Sequence, residues 1–481
     1  MTSHSKPHVH LIGIGGSGLS AIARLLLERG YTVSGSDRSL TPLARELQAA
    51  GARVSAGHNA KNVQGADVVV RSSAVPDNNV EVTAALEAGI PVMKRAEFLG
   101  EITRGHEVFA VAGTHGKTST TAMLAWTMTR LGFDPSYIIG GTAKNMDDKN
   151  AHAGSGTSFI IEADEYDRMF LGLNPNIIVI TYLEPDHPDC FPTPEVYYEA
   201  FTEFISRLQP GGSLIAANDG GHAVRLISAA PNGTRTVTYG TDASDTYTAR
   251  DLSANSKGGF DFRAYWKRPD GDQEYLASVR LQVPGEHNVR NALAVLAVVH
   301  TIHAGDELVS QDAMVTALSQ AAAALGEFQG TGRRFDVQGE ILGITVIDDY
   351  AHHPTEIQAT LAAARARYPE SRLWVVWQPH TFSRTRGLMA EFAGSFKQAD
   401  RLIVTDIYAA RENASDFDNF SAAQVVEATN HPSARFIPDF ETSTALLLQH
   451  LQPGDVLLVL SAGDADQISQ QVLAGLKKRK N

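Results

Sequence analysis

The chain has 481 residues, too many for one ordinary hydrophobic core, so we expect two or three domains. Hydrophobic residues make up 43% of it and charged residues 20%, which is typical of a folded globular protein and excludes a disordered one. The net charge of −13 argues against a nucleic-acid partner, because binding to a phosphate backbone needs a basic surface.

Two further features bear on the compartment of the protein. Cys190 is the single cysteine, so an intramolecular disulfide is excluded, as expected in a reducing compartment. The sequence has no run of about 18 apolar residues that would span a membrane, and its first residues lack the apolar stretch of a signal peptide. We therefore expect a cytoplasmic protein without membrane insertion. The sequence leaves its oligomeric state open between a monomer and a homodimer.

Strands and helices alternate at the start of the chain, which is typical of a parallel, doubly wound sheet. The predicted elements are a strand at 8–14, a helix at 18–29 and strands at 31–36, 66–73 and 90–95. We predict that residues 1–106 form a Rossmann-like domain.

A second α/β unit follows. Its predicted elements are a strand at 107–113, a helix from Lys117, strands at 159–163 and 176–183, hairpins within 232–285, and a helix from Asn288 to near His303. We predict a central domain of the phosphate-loop type at residues 107–328.

The last third of the chain shows the same alternation. Its predicted strands are at 341–348, 373–377, 401–405 and 456–460, with helical stretches between them. We predict a C-terminal Rossmann-like domain at residues 329–481, which makes the chain an α/β protein of three domains.

The first domain carries a glycine-rich turn between a strand and a helix. Gly13, Gly15 and Gly18 form a GxGxxG pattern, and Asp37 follows nineteen residues after Gly18. In such a turn the backbone N–H groups bind a diphosphate, and the acidic residue reaches ribose hydroxyls. A dinucleotide and a nucleotide-sugar both carry a diphosphate, so the turn leaves both open. The alternative is a tight turn whose glycines only permit close packing.

A second glycine-rich turn, AVAGTHGKTS, starts the central domain. It lacks the first glycine of a Walker A motif, since Val111 stands there, but Gly116, Lys117 and Thr118 are present. Its backbone amides and lysine suit the phosphates of ATP, and its threonine suits Mg²⁺. The alternative is an ordinary turn with an exposed lysine.

Two acidic turns follow predicted strands downstream of this loop. They are EADEYD at 162–167 and LEPDHPD at 183–189. Carboxylate oxygens are the ligands that Mg²⁺ prefers, and a histidine can complete the coordination sphere. One such turn is usually a solvated loop, but two of them after a phosphate loop favour a metal site.

Seven motifs cover nearly the whole chain in the order found in the Mur ligases of bacterial peptidoglycan synthesis. They are GIGGSG, AGTHGKT, EADEYD, PGEHNVRN, FQGTGRRFD, DDYAHHPTE and QPHTFSRTR. The sequence therefore resembles this family. The resemblance implies that the first turn holds UDP-N-acetylmuramate and that the second holds ATP with Mg²⁺.

The resemblance also implies a reaction. The γ-phosphoryl group of ATP moves onto the lactyl carboxylate of UDP-N-acetylmuramate, which gives an acyl phosphate. The amine of L-alanine then attacks this intermediate, phosphate leaves and an amide forms.

By the same resemblance, roles follow for individual residues. The implied UDP-sugar contacts are Gly15, Gly16, Ser17, Gly18, Asp37, Ser72 and Ser73. The implied ATP contacts are Gly113, Thr114, His115, Gly116, Lys117, Thr118, Ser119, His287, Asn288, Asn291, Arg334 and Asp349. Asn288 and Asn291 lie three residues apart at a helix start and can face one ligand, although Asn288 also suits an N-cap.

The remaining implied roles concern the chemistry. The metal ligands are Thr118, Glu165 and His187, and the catalytic residues are Lys117, His187, Arg334 and His352. His380 and Arg384 face the incoming amino acid. One of the two adjacent histidines before Pro354 can instead cap the helix that begins there.

Three positions depart from the family pattern. Thr381 stands where the family often has arginine, Tyr182 where it usually has asparagine, and Pro185 where it has a small residue. They bear on the amino-acid pocket and the metal loop rather than on the class of reaction.

Three other functions remain open on the sequence alone. A ligase that attaches a recycled murein tripeptide to the same UDP-sugar would share every ATP contact. An NAD-dependent oxidoreductase built on the first turn leaves AGTHGKT, EADEYD and HNVRN unexplained. A non-catalytic nucleotide sensor of the same fold is disfavoured by the intact Lys117, Thr118, Glu165 and His187.

Overall fold

A computed structural model describes residues 6–218, 222–304, 309–418 and 420–480. The strands in these ranges form three sheets with flanking helices, in which parallel pairing predominates. This architecture confirms the three-domain α/β fold class. Within these ranges, the search for a helix that is both long and apolar enough to cross a membrane finds none.

The N-terminal sheet is entirely parallel, with strand order β3-β2-β1-β4-β5. Its strands are β1 (His8–Ile12), β2 (Thr32–Asp37), β3 (Arg53–Ala56), β4 (Val68–Arg71) and β5 (Val92–Lys94). Its helices are α1 (Ser17–Glu28), α2 (Pro42–Ala49), α3 (Val80–Glu87) and α4 (Arg95–Ile102). The strand order reverses beside β1, and ligands of doubly wound sheets bind at such a point.

The central sheet has the order β15-β14-β13-β12-β11-β10-β6-β9-β7-β8. Its strands are β6 (Glu107–Ala112), β7 (Ser136–Ala143), β8 (Lys149–His152), β9 (Ser158–Glu162), β10 (Ile177–Ile180), β11 (Ser213–Ala217), β12 (Arg235–Gly240), β13 (Tyr247–Ala254), β14 (Phe260–Lys267) and β15 (Gln273–Arg280). Its helices are α5 (Lys117–Arg130), α6 (Pro194–Ile205), α7 (Glu286–Ala304) and α8 (Gln311–Glu327). The predicted hairpins are the antiparallel strands β13 to β15.

The register of the central sheet explains how the phosphate loop meets the two acidic turns. β6 lies between β9 and β10 and is parallel to both, with Val111 opposite Glu162 and Ala112 opposite Ile180. The carboxyl ends of the three strands therefore lie side by side. The loops that follow them share one edge of the sheet.

The C-terminal sheet has the order β16-β17-β21-β18-β19-β20, with only the pair β16–β17 antiparallel among the described strands. Its strands are β16 (Asp336–Ile341), β17 (Ile344–Asp349), β18 (Leu373–Trp377), β19 (Arg401–Val404), β20 (Ala434–Phe436) and β21 (Val456–Leu460). Its helices are α9 (Pro354–Arg367), α10 (Phe382–Gly387), α11 (Met389–Ala393), α12 (Ala422–Ala428), α13 (Phe440–His450) and α14 (Asp466–Lys480). Short 3₁₀ segments of the chain lie at Ala60–Val63, Lys144–Met146, Tyr166–Gly172, Ala223–Ala229 and Ala414–Phe417.

The two domain junctions differ in chemistry. Leu25 and Phe98 of the N-terminal domain belong to the same apolar core as Phe159 and Phe170 of the central domain. The C-terminal domain has cores of its own and meets the central domain through polar pairs, such as Lys144 Nζ and Asp336 Oδ1 at 2.6 Å. The first two domains are thus joined by apolar packing, and the third is joined to them by charged groups.

Candidate active site

Two cavities meet at the turn between β6 and α5. The smaller cavity, of about 610 Å³, is lined by the central and C-terminal domains, and the larger, of about 780 Å³, by all three domains. The residues that line both are His115, Gly116, Thr118, Arg334 and Glu356. Ligands in the two cavities would therefore meet at this turn.

The first glycine turn lies after β1 at one end of the larger cavity. Gly13 has a φ of +88°, which glycine adopts without strain. The N–H of Gly15 donates to Asp37 Oδ2 at 2.9 Å, so the predicted ribose-binding carboxylate also braces the turn. The other predicted UDP-sugar residues that line the cavity here are Gly16, Ser17, Gly18, Ser72 and Ser73.

Arg95 lies outside the sequence motifs but directly over this turn. It begins α4, and a side chain at Gly18 would collide with its guanidinium. Arg95 Nη2 also lies 3.3 Å from Asp164 Oδ2. A guanidinium beside a helix N-terminus suits a diphosphate. The available signal was its position directly after β5, at the carboxyl edge of a parallel sheet.

The second glycine turn has the geometry of a phosphate site. Gly116 has a φ of +85°, and a Cβ there would lie 2.8 Å from Asn291 Oδ1, so the position requires glycine. The N–H of Thr120 donates to the Gly116 carbonyl at 2.9 Å. The N–H groups of Lys117, Thr118 and Ser119 precede it in the first turn of α5, where they have no partner within the helix.

Lys117 is held by the loop and by the first acidic turn. Its ammonium donates to the carbonyls of Gly113 and Thr114 and to Glu165 Oε1, the last at 3.0 Å. Burial alone would lower the pKa of Lys117, but nearby carboxylates, chiefly that of Glu165, outweigh it and raise that pKa. Lys117 is therefore a fixed positive charge at neutral pH.

The predicted metal ligands lie around this ammonium group. Thr118 Oγ1 donates to Glu162 Oε1 at 3.0 Å, and His187 Nε2 lies 3.7 Å from Glu165 Oε1. Glu165 is fully buried, and burial raises its pKa despite the opposing effect of Lys117. The structure thus brings Thr118, Glu165 and His187 together, with Glu162 as a further oxygen donor.

A buried ion pair connects the second acidic turn to the C-terminal domain. Asp186 Oδ1 lies 2.9 Å from both Nε and Nη2 of Arg384. Arg384 Nη1 lies 3.1 Å from His380 Nδ1, and Nη2 lies 3.5 Å from His187 Nδ1. Arg384 therefore orients the imidazoles of His380 and His187, and Asp186 offsets the charge of its guanidinium.

His115 forms a second connection between these domains. Its Nε2 contacts Glu184 Oε1, and its Nδ1 lies 3.1 Å from Glu356 Oε1, which is itself 3.4 Å from Arg334 Nη1. Burial alone would lower the pKa of His115, but Glu356 and Glu184 outweigh it and raise that pKa to about 9. His115 is therefore an imidazolium between two carboxylates.

His115, Glu184 and His353 also have the composition of a metal site, with one ligand atom each within 4.8 Å of one another. A protonated His115 already supplies the positive charge, and both its nitrogens face carboxylates. His353 caps α9 through a hydrogen bond from the Thr355 N–H at 3.4 Å, which confirms that one of the paired histidines has this role.

The predicted ATP contacts on α7 bind one another. Asn291 Nδ2 donates to Asn288 Oδ1 at 3.0 Å, and Asn288 Nδ2 donates to the Pro284 carbonyl at 2.7 Å. The N-cap alternative for Asn288 is wrong, because α7 begins at Glu286. His287 lines the smaller cavity beside them, and burial lowers its pKa to about 4.

Asp349 lies at the end of β17 and lines the smaller cavity. Its Oδ2 accepts from the Phe335 N–H at 2.7 Å, and its Oδ1 accepts from the Ala351 N–H at 2.8 Å. Burial raises the pKa of Asp349 to about 6. Its carboxylate thus also fixes the interdomain linker that carries Arg334.

His352 and His380 line the larger cavity with ring centroids 5.7 Å apart. Burial lowers the pKa of His352 to about 3 and that of His380 to about 4, so both rings are neutral at pH 7. His352 Nδ1 lies 2.8 Å from the Tyr350 carbonyl, which can only accept, so Nδ1 carries the hydrogen. His380 Nδ1 accepts from Arg384, so its hydrogen lies on Nε2.

Family models match most of the chain. The models are described as "Mur ligase family, catalytic domain" at residues 8–107, "Mur ligase middle domain" at 111–299 and "Mur ligase, glutamate ligase domain" at 333–463. A relative from Roseiflexus castenholzii, a UDP-N-acetylmuramate–L-alanine ligase, is 40% identical over 98% of this chain and 97% of its own length. This chain belongs to the Mur ligase family.

A further relative and two solved structures match this chain over nearly its whole length. A UDP-N-acetylmuramate–L-alanine ligase from Desulfosudis oleivorans is 41% identical over 98% of this chain and 99% of its own length. The crystal structure of the UDP-N-acetylmuramate–alanine ligase of Thermotoga maritima, 27% identical, superposes with a TM-score of 0.79 over 98% of this chain and 100% of that one. A murein peptide ligase from Psychrobacter arcticus, 26% identical, superposes with a TM-score of 0.73 over 98% of both chains.

Two of the departures from the Mur ligase pattern lie beside the site. The Tyr182 carbonyl accepts from the Thr114 N–H at 2.8 Å, and its ring stacks on His115 with centroids 5.8 Å apart. Thr381 has a φ of +69° and donates its N–H to the Tyr408 carbonyl at 2.9 Å. The first supports the phosphate loop, and the second leaves an uncharged side chain at the start of α10.

Proposed function

We propose that this Mur ligase joins L-alanine to the lactyl carboxylate of UDP-N-acetylmuramate and converts ATP to ADP and phosphate. The supporting observation is that the first glycine turn, the Lys117 loop and the neutral pair His352 and His380 all line the larger cavity. Relatives that are named for this activity and are about 40% identical over nearly the whole chain support this choice of substrates.

ATP fits the smaller cavity. The start of α5 offers backbone N–H groups and a fixed ammonium to phosphates, and Gly116 leaves no room for a side chain there. Lys144, His287 and Asp349 line the part of the cavity that remains for the nucleoside. The γ-phosphate would then lie where the two cavities meet.

Mg²⁺ fits the group formed by Thr118, Glu162, Glu165 and His187. A hydroxyl, the buried Glu165 carboxylate, the half-buried Glu162 carboxylate and an imidazole form a donor set of the kind that hard divalent cations accept. Glu165 Oε2 lies 2.9 Å from Lys117 Nζ yet has no hydrogen-bond partner of good geometry. Bound Mg²⁺ would neutralise phosphate charge that the single lysine cannot offset.

The first step brings a carboxylate to a triphosphate, so the site must reduce their mutual repulsion. Lys117 supplies a fixed positive charge at the phosphate loop. Arg334, now 3.4 Å from Glu356, supplies a second from the C-terminal side. A carboxylate oxygen then attacks the γ-phosphorus, ADP leaves and the acyl phosphate forms.

The second step needs the free amine of the amino acid beside the acyl phosphate. Neutral His352 has its hydrogen on Nδ1, so the lone pair of Nε2 can accept a hydrogen bond from that amine and orient it; with a pKa of about 3 the ring is too weak a base to hold the proton itself. His380 has its hydrogen on Nε2 and can donate a hydrogen bond to the acyl phosphate. The amine attacks the acyl carbon, the C–O bond to phosphate breaks, the departing phosphate takes up the proton of the amine and the amide forms.

The test is phosphate release from ATP and Mg²⁺ with UDP-N-acetylmuramate and one of four acceptors. These are L-alanine, glycine, L-serine and the tripeptide L-Ala-γ-D-Glu-meso-diaminopimelate. Fastest release with L-alanine, with a product heavier by one alanyl unit, is expected. Release with the tripeptide alone would instead make this chain a murein peptide ligase, the activity for which the Psychrobacter protein is named.

A further inference from the structure

The arginines that line the larger cavity differ in their partners. Three of them face a carboxylate: Arg95 faces Asp164, Arg334 faces Glu356 and Arg384 faces Asp186. Arg333 donates to the backbone carbonyls of Ser461 and Gly463. Within the described ranges, Arg411 alone of the five contacts neither a carboxylate nor a backbone carbonyl, so its charge is available to a ligand.

Arg411 follows β19 in the C-terminal domain and is exposed to the cavity, yet the central domain fixes its position. Its guanidinium lies over the Tyr166 ring, 4.6 Å from the centroid, and donates to the Tyr166 hydroxyl. That hydroxyl donates to Asp189 Oδ2 at 2.8 Å, and the ring lies edge-on to His187 with centroids 5.1 Å apart. Arg411 is therefore one aromatic ring away from the metal-ligand cluster.

The segment that follows β19, residues 405–413, carries Arg411 and also forms the wall of the cavity beside His380. Tyr408 stacks on His380 with centroids 5.6 Å apart. Glu412 accepts from the N–H groups of Phe382 and Ser383, the latter at 3.0 Å, and so ties the loop to α10. Arg411 and the neutral histidine thus lie on one braced surface.

The chemistry of the acceptor assigns a ligand to this charge. An amino acid carries its carboxylate on the carbon that bears the attacking amine, so a group that binds the carboxylate also positions the amine. Arg384 is poorly suited, because Asp186 offsets its charge and its donors are in use. We propose that Arg411 binds the α-carboxylate of the incoming amino acid. The assignment rests on the proposed function.

Arg411 then also determines specificity between the two ligase activities. In L-Ala-γ-D-Glu-meso-diaminopimelate the carboxyl of the alanyl residue is an amide, which carries no charge next to the attacking amine. A guanidinium at this position favours the free amino acid over the peptide.

The test compares L-alanine with L-alaninamide, which lacks the carboxylate, in steady-state kinetics of the full chain. In Arg411→Gln we expect the KM for L-alanine to rise about 10- to 100-fold with little change in kcat, because the carboxylate contact persists through the reaction. L-alaninamide kinetics should not change, so the preference for L-alanine should largely disappear. Arg411→Lys should retain part of the preference. Arg386→Gln is the matched control, since its guanidinium lies 3.5 Å from Asp418 on the surface.

Other results overturn the assignment. An unchanged KM for L-alanine, an equal rise for L-alaninamide, or a rise confined to UDP-N-acetylmuramate would each do so while the proposed function stands. Wild-type activity with the tripeptide and none with L-alanine would overturn both. Circular dichroism and thermal unfolding of each variant separate a lost contact from a lost fold.

Discussion

The two glycine turns have the same strand–turn–helix arrangement but different surroundings. Each follows a buried parallel strand and begins a helix, α1 in one case and α5 in the other. At the first turn the nearest charged side chains are Asp37, which accepts from Gly15, and Arg95. At the second, Lys117 pairs with the buried carboxylate of Glu165, and His115 lies between the half-buried carboxylates of Glu184 and Glu356.

This difference matches what each turn is proposed to hold. A diphosphate that only anchors a substrate needs backbone donors and one compensating charge. A phosphoryl group that is transferred needs charge fixed before the reaction, with metal ligands around it. Glycines predict where phosphate binds, and the neighbouring charged residues distinguish anchoring from chemistry.

The largest effect should come from Lys117→Ala. Removing the fixed ammonium should lower kcat/KM about 1000-fold, because charge stabilisation of the transferred phosphoryl group is lost. UDP-N-acetylmuramate should still bind with wild-type Kd by calorimetry. Lys149→Ala, a surface change near Glu28, is the control. Near-normal turnover in Lys117→Ala would remove the distinction between the turns.

The free energy of unfolding should depend on pH through His115 in the second turn. The pKa of His115 is about 9 in the fold against 6.5 ordinarily, so its stabilising effect is complete below pH 6.5 and is lost as pH rises to 9. The free energy of unfolding should fall by about 1–3 kcal/mol more in wild type than in His115→Asn over that range. Chemical denaturation at several pH values measures it. The same slope in both proteins would contradict the paired imidazolium.

Arg95→Ala should affect the first turn selectively. We expect the Kd for UDP-N-acetylmuramate to rise about 10- to 30-fold, since a charge-assisted contact to the diphosphate is lost. The Kd for ATP should not change, and Arg95→Lys should lie between the two. Parallel weakening of both ligands would mean that the two sites are not separate.

Asp37→Ala should have the smallest effect. Its carboxylate accepts the Gly15 N–H, so its loss loosens the turn and removes a ribose contact. We expect the KM for the UDP-sugar to rise about threefold, with a smaller change for ATP. Asp37→Asn, which keeps an acceptor, should lie closer to wild type. Equal rises in both KM values would argue against independent turns.

Patterns local to the chain predicted the fold well. Apolar runs predicted the strands, although several are shorter than expected; the strand predicted at 66–73 spans Val68–Arg71, where serines end the apolar run. Motifs also predicted that Thr118, Glu165 and His187 would meet, because parallel strands bring the ends of β6, β9 and β10 to one edge.

Contacts between domains could not be predicted in this way. His115 and Glu356 are far apart in sequence, and nothing in the local pattern indicates that a phosphate-loop histidine binds a helix of another domain. Arg95 and Arg411 lie outside the motifs. Only the folded structure places Arg95 over the turn at Gly18 and Arg411 over the ring of Tyr166. Asn288 suits a cap only in a helix that begins at that residue, whereas α7 begins two residues earlier, at Glu286.

The most direct test of the account follows oxygen through the reaction. UDP-N-acetylmuramate labelled with ¹⁸O in both oxygens of its lactyl carboxylate would be incubated with ATP, Mg²⁺, L-alanine and the full chain. If the two turns bring carboxylate and γ-phosphate together, one labelled oxygen appears in each phosphate released, and the other stays in the amide. Amide formation with unlabelled phosphate would contradict transfer between the two turns.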